Sequence, residues 1–122
     1  MILADTSIWI DHFRSENVEM RKQLDKRNII VHPFVIAELA LGSLRDRTRT
    51  LAFLDQLPLT RMAQLNEVRQ MIETRSLYSQ GIGLIDAHLI ASIFLNPGTL
   101  LWTRDQKLRG IANALSIHAI LP

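Results

Sequence analysis

The chain has 122 residues, enough for one compact domain with its own core and too few for two, so a single domain over 1–122 is expected. It is 48% hydrophobic and 21% charged, as ordinary globular domains are, and has no cysteine, which excludes disulfides and thiolate metal sites and suits a reducing cytoplasm. No apolar run approaches the ~20 residues of a membrane helix, and Met-Ile-Leu-Ala-Asp is no signal peptide, because it lacks a basic start and has an acid at position 5.

The elements alternate. Residues 1–5 read as a buried strand ending at Asp5, and Thr6 or Ser7 can cap a helix over about 7–14. A polar helix over roughly 17–27 leads to a short strand at 29–31. Pro33 suits the first turn of a helix that runs to about Leu41, with Gly42 near its end. Further helices are expected over about 45–57 and over 63–79, where Leu65, Val68, Met71, Ile72 and Leu77 hold apolar positions. Gly81 and Gly83 break the pattern. A nearly all-apolar helix from about 84 to 95 stops at Asn96-Pro-Gly98, followed by a strand at 99–103, a helix at 104–114 and a last strand at 117–120. Strands alternating with helices predict a mainly parallel sheet covered on both faces, with sites beyond the carboxyl ends of its strands. There is no linker, repeat or low-complexity tract.

Four carboxylates lie on apolar segments: Asp5, Glu38, Asp86 and Asp105. A lone ionised acid is costly to bury and persists when it is paired or binds a metal. Helical spacing groups Glu38 with Phe34, Val35, Leu41 and Gly42, and Asp86 with Leu89, Ile90, Ile93 and Phe94, so both should point inward or to the rim of the core. Any one of the four could be a cap or an ion-pair member; together they suggest one site for a hard cation, and oxygen ligands select Mg²⁺ or Mn²⁺ over zinc. With these four committed, 8 of the 12 acids face 14 lysines and arginines, which leaves a basic surface suited to a polyanion. A carboxylate-held Mg²⁺ beside a basic surface suggests phosphodiester chemistry.

Four segments carry a more specific likeness: Asp5-Thr-Ser-Ile-Trp-Ile-Asp-His-Phe-Arg14, His32-Pro-Phe-Val-Ile-Ala-Glu-Leu-Ala-Leu-Gly42, Gly83-Leu-Ile-Asp-Ala-His-Leu-Ile-Ala-Ser92 and Leu101-Trp-Thr-Arg-Asp-Gln-Lys-Leu108. In order and spacing they resemble the motifs of PIN-domain nucleases, above all the VapC toxins of type II toxin–antitoxin systems. The resemblance implies a three-layer α/β/α fold with a central, mainly parallel sheet. It implies a Mg²⁺-dependent ribonuclease whose acidic quartet is Asp5, Glu38, Asp86 and Asp105, with Thr6 or Ser7 and Thr103 as supporting hydroxyls. It further implies a homodimer in the cytoplasm, a VapB-like antitoxin that covers the site, and a structured RNA target such as tRNA or rRNA. Two positions depart from the pattern. Lys107 stands where many PIN domains carry another acid, so a second metal ion is not implied, and His32 stands where a Ser or Thr often caps the helix of Glu38.

Other polar residues have plainer readings. Asp11 is expected on the exposed side of the first helix. His88 falls about 200° from Asp86 by helical spacing, which favours a surface or interface role; His12, His32 and His118 show no ligand spacing. Arg45 and Arg49 share a helix face and could meet RNA phosphate or an acidic partner; Arg104 and Lys107 flank Asp105 and are better placed to meet phosphate. Trp9 and Trp102 fit core or dimer packing. The rival enzyme reading, a haloacid-dehalogenase-like phosphatase with Asp5 as nucleophile, needs an acid at position 7, where Ser7 stands. A catalytically inactive module that binds RNA or antitoxin is the rival without chemistry.

Overall fold

The computed structural model describes residues 1–122 and contains seven helices and three strands. The strands β1 (Ile2–Ala4), β2 (Ile29–Ile30) and β3 (Leu100–Trp102) form one parallel sheet in the order β2-β1-β3. Leu3 sits opposite Ile30 on one side and Leu101 on the other. The helices are α1 (Thr6–Arg14), α2 (Val18–Asp25), α3 (Pro33–Leu41), α4 (Arg47–Asp55), α5 (Leu65–Thr74), α6 (Leu84–Leu95) and α7 (Gln106–Ala114). Together with the sheet they make a three-layer α/β/α sandwich. The core gathers Leu3, Ile8, Trp9, Met20, Ile29, Leu54, Leu89, Ile90, Leu101, Trp102 and Leu108, each almost fully removed from water.

The topology places the site. The chain leaves the central strand β1 for β2 on one side, then crosses to β3 on the other. The reversal opens a crevice at the carboxyl ends of β1 and β3, where neighbouring connections diverge. Asp5 follows β1 directly, and Thr103 follows β3.

Several expected boundaries move for identifiable reasons. The helix expected over 63–79 ends at Thr74, because Ser76 turns left-handed (φ 53°) and closes the helix with bonds from Ser76 N to Glu73 O and from Leu77 N to Ile72 O. That paired closure is a Schellman motif. The same closure ends α2 at Arg27 (φ 54°) and α7 at Ser116 (φ 59°). Glycine usually marks this position and is absent at all three, which hid the stops from the sequence. The helix expected over 45–57 is the shorter α4, preceded by Asp46 at φ 46°. The last strand contracts to a parallel bridge between His118 and Leu101, and an unexpected bridge joins Val31 to Leu59.

Burial corrects one expectation and narrows two others to the rim. His88 is only 5% exposed, so it is neither a surface nor an interface residue; α6 is buried from Ala87 to Ser92 on nearly every side. Leu41 is 89% exposed, so the face it shares with Glu38 is the rim of the fold and not its interior. Phe94 likewise turns outward at the end of the face that buries Leu89, Ile90 and Ile93. Trp9 and Trp102 are both fully buried core residues.

Candidate active site

Asp5 is the anchor of the crevice. Its backbone N–H donates to Trp102 O at 3.0 Å, which extends the β1–β3 ladder by one residue and fixes where its side chain starts. Oδ1 accepts from Ser7 Oγ at 2.5 Å and from Ile8 N at 3.2 Å, and Oδ2 accepts from the Thr103 hydroxyl. The bond from Ile8 N makes Asp5 the N-cap of α1. Thr103 Oγ1 in turn accepts from Asp105 N at 3.0 Å, and Ser7 Oγ from Arg104 N at 3.1 Å. Two hydroxyls thus tie the end of β1 to the end of β3, residues nearly a hundred positions apart.

The other acids reach this edge from separate elements. Glu38, half-buried on α3, accepts from Thr6 Oγ1 at 2.9 Å. Asp86, half-buried, occupies the first turn of α6. Asp105 is exposed and caps α7, accepting from Leu108 N at 2.9 Å. Asp5 and Asp105 therefore do have a local role, as helix caps, that their apolar neighbours concealed.

Electrostatics unites the four. Burial raises the Asp86 carboxyl above its ordinary value of 3.8, and the nearby charges of Asp105, Asp5 and Glu38 raise it further. Burial also raises Asp5, against the lowering effect of its bonds from Ser7, Thr103 and Ile8. The like charges around Asp86 disfavour its ionisation, a pattern characteristic of functional sites. As the side chains stand, no three acids or histidines close on a point that would hold an ion. Asp5 is fastened by both oxygens, Glu38 by Thr6 and Asp105 by its cap. The donor set still fits a hard divalent cation in chemistry, since it is all oxygen, carries excess negative charge and is oriented by hydroxyls rather than neutralised by bases.

A model of the PIN domain matches residues 2–114. The chain belongs to the PIN-domain family. The protein named Ribonuclease VapC32 in two strains of Mycobacterium tuberculosis, CDC 1551 / Oshkosh and ATCC 25618 / H37Rv, is 39% identical to this PIN domain over 109 residues, covering 89% of this chain and 88% of the relative. The likeness makes this a VapC-like PIN domain.

Around its acids, the PIN domain has its basic residues in different states. Arg104 pairs with Asp11 at 3.3 Å, and Asp11, half-buried, also accepts from Asn17 Nδ2. Arg45 and Arg49 are exposed, and Arg45 lines a cleft of about 630 Å³ that begins at Glu38 and runs past Ile10, Phe13, Leu39 and Leu44. Arg47, which the sequence did not single out, donates to Ala40 O and Gly42 O and so closes the carboxyl end of α3. His32 takes over the cap of α3: its Nδ1 accepts from Phe34 N at 2.9 Å, while its buried Nε2 has no partner. Its ring lies 5.1 Å from Phe34 and 6.4 Å from His88. Burial first, and then His88, lowers the His32 pKa to about 4.

Proposed function

We propose that this PIN domain, folding as one unit over 1–122, is the toxin of a toxin–antitoxin pair: a divalent-cation-dependent endoribonuclease acting on structured RNA, tRNA or rRNA, in the cytoplasm. The observation that carries the reading is the convergence of Asp5, Glu38, Asp86 and Asp105 on one edge, close enough that three of them raise the fourth. Family membership makes the chain a hydrolase acting on RNA, and PIN-domain nucleases generally use divalent metal ions.

In this reading the four acids hold Mg²⁺ or Mn²⁺, which when bound acidifies a water and offsets charge on the phosphoryl oxygens. The chain's own task is placement. Thr103 and Ser7 hold the Asp5 carboxylate at the crevice, Thr6 holds Glu38, and the first turn of α6 presents Asp86 from the far side. Hydrolysis forms a bond from a water oxygen to phosphorus and breaks the bond to the leaving ribose oxygen, with no covalent bond to the protein. An Asp5 nucleophile, as in the phosphatase alternative, fits poorly, because donors occupy both of its oxygens.

We read the cleft lined by Glu38 as the place an antitoxin segment would lie. Ile10, Phe13, Leu39 and Leu44 give it an apolar part and Arg14 and Arg45 a basic one, so a segment filling it would cover Glu38. Exposed Leu41, Leu59, Leu65 and Leu84 supply the apolar surface that a homodimer or antitoxin would cover. No helix is long and apolar enough to cross a membrane.

The deciding experiment is cleavage of tRNA and rRNA by purified protein with Mg²⁺ or Mn²⁺, with EDTA, and beside Asp86→Asn. Cleavage abolished by both EDTA and the substitution is expected. Full cleavage by Asp86→Asn would overturn the assignment. Metal-independent RNA binding without turnover would favour the inactive module.

A further inference from the structure

Lys107 stands two residues past Asp105, in the first turn of α7, with an exposed side chain. It lies along the backbone of Gly81, in the loop that leads into α6 and Asp86. A Cβ built on Gly81 would meet Lys107 Nζ at 2.9 Å, Cδ at 3.0 Å and Cε at 3.3 Å. Three atoms of the lysine therefore rest in space that exists only because residue 81 has no side chain. Gly81 is also left-handed, at φ 79°, a conformation that glycine adopts without strain.

The ammonium that this contact positions is uncommitted. The molecule has two ion pairs, Arg21 with Glu16 and Arg104 with Asp11, and Lys107 belongs to neither. The other cations beside it are engaged: Arg104 by Asp11, and Arg109 by its bond to Thr103 O at 3.3 Å. Lys107 is thus the one free cation of the first turn of α7, and it spans from the element carrying Asp105 to the loop that feeds the element carrying Asp86. An unpaired cation between the elements that carry Asp105 and Asp86 is placed for an anion that arrives from solution.

We infer that Lys107 is a substrate-contacting residue, whose ammonium takes a phosphate oxygen of the RNA beside the acidic site, and that Gly81 is the residue that positions it. The inference rests on the assignment of Asp86 and Asp105 to the catalytic site. Lysine contributes a point charge and reaches the phosphate from one side, whereas the acids reach it through the cation. Toward the lysine, Gly81 acts by leaving it room.

The test is steady-state RNA cleavage in Mg²⁺ by wild type, Lys107→Gln, Lys107→Arg, Gly81→Ala and the Gly81→Ala/Lys107→Gln pair, with thermal unfolding of each. Lys107→Gln changes an exposed side chain, so it folds. It should lower kcat/KM by about 10- to 100-fold and reduce the dependence of log KM on log salt by about 0.7 to 0.9, the loss of one phosphate contact. Lys107→Arg should recover part of the rate. Gly81→Ala keeps every charge, pushes the ammonium aside and strains the left-handed backbone, so its salt slope should fall as in Lys107→Gln, whatever the strain adds to its loss of kcat/KM. The double variant should keep the salt slope of Lys107→Gln alone, because both changes break one phosphate contact. Wild-type rates and salt slope in Lys107→Gln, a wild-type salt slope in Gly81→Ala, or a further fall of the slope in the double variant would overturn the inference. Cleavage by Asp86→Asn would instead overturn the site assignment beneath it, a result separable from either.

Discussion

The buried histidine at the head of α3 should make stability fall as the solution is acidified, by an amount the structure sets. His32 is fully buried, its Nδ1 must stay unprotonated to accept from Phe34 N, and its pKa lies at about 4 against 6.5 in the unfolded chain. Above the unfolded value both states hold a neutral ring and pH has no effect through this group. Between the two values the unfolded chain binds the extra proton and the native state does not, so unfolding gains with every step toward acid. The loss through His32 amounts to about 2 kcal/mol at about pH 5 and about 3 kcal/mol near pH 4, where it levels off. The raised carboxyls of Asp5 and Asp86 act in the opposite sense over the lower part of this range, since the native state there binds protons more readily. His32 is therefore isolated by comparison with His32→Asn, which keeps a capping oxygen and removes the titration. Urea unfolding of both proteins from about pH 8 to about pH 4 gives the difference directly. The wild type should lose stability relative to the variant as pH falls through the window. Parallel curves would refute the reasoning.

Other expectations follow from the same geometry. Asp86→Asn should remove at least about 100-fold of cleavage activity while leaving stability in EDTA unchanged or raised by up to about 1 kcal/mol, since the charge it removes is one its neighbours oppose; a clearly less stable variant would contradict this. Asp5→Asn should differ, losing activity and also about 1 kcal/mol of stability, because an amide cannot accept from both Thr103 and Ser7; calorimetry of the two variants side by side is the check. Thr103→Val should cost roughly 1 to 3 kcal/mol by leaving Asp5 Oδ2 without its donor and lower activity about 10- to 100-fold through misplacement of that carboxylate, with wild-type behaviour as the contrary result. Arg27→Gly and Ser116→Gly should each stabilise the protein by about 0.5 to 1 kcal/mol, as relief of the left-handed backbone outweighs the added freedom of the unfolded chain; a fall in Tm would show that the side chains contribute more than their conformation costs.

The order of elements was legible because the chain's apolar runs change period where helices give way to strands, and the acids stood out against those runs. Asp86 and Glu38 could be found that way, since nothing local accounts for either. Asp5 and Asp105 could be found but not fully understood: their apolar neighbours made them stand out, yet gave no sign that each also caps a helix. What stayed hidden depends on contacts between distant segments or on the backbone. The stops at Arg27, Ser76 and Ser116 use residues that carry no left-handed signal. The burial of His88 comes from an α6 enclosed on nearly every side, with the Phe34 ring centroid 4.8 Å from its own, whereas its angle from Asp86 alone pointed it outward. The contact of Lys107 with Gly81 joins two motifs that read as separate.

The bond from Thr103 to Asp5 crosses 98 positions of sequence, and the central strand that carries Asp5 finds its second neighbour only at Leu100. A growing chain therefore exposes Asp5 long before Asp105. Until the segment from Leu100 to Asp105 has left the ribosome, there is neither a crevice between β1 and β3 nor a hydroxyl to hold Asp5, and no partial product can bear the site. For a chain proposed to cleave RNA, this arrangement acts as a delay: a product that stops short of β3 lacks both Thr103 and Asp105.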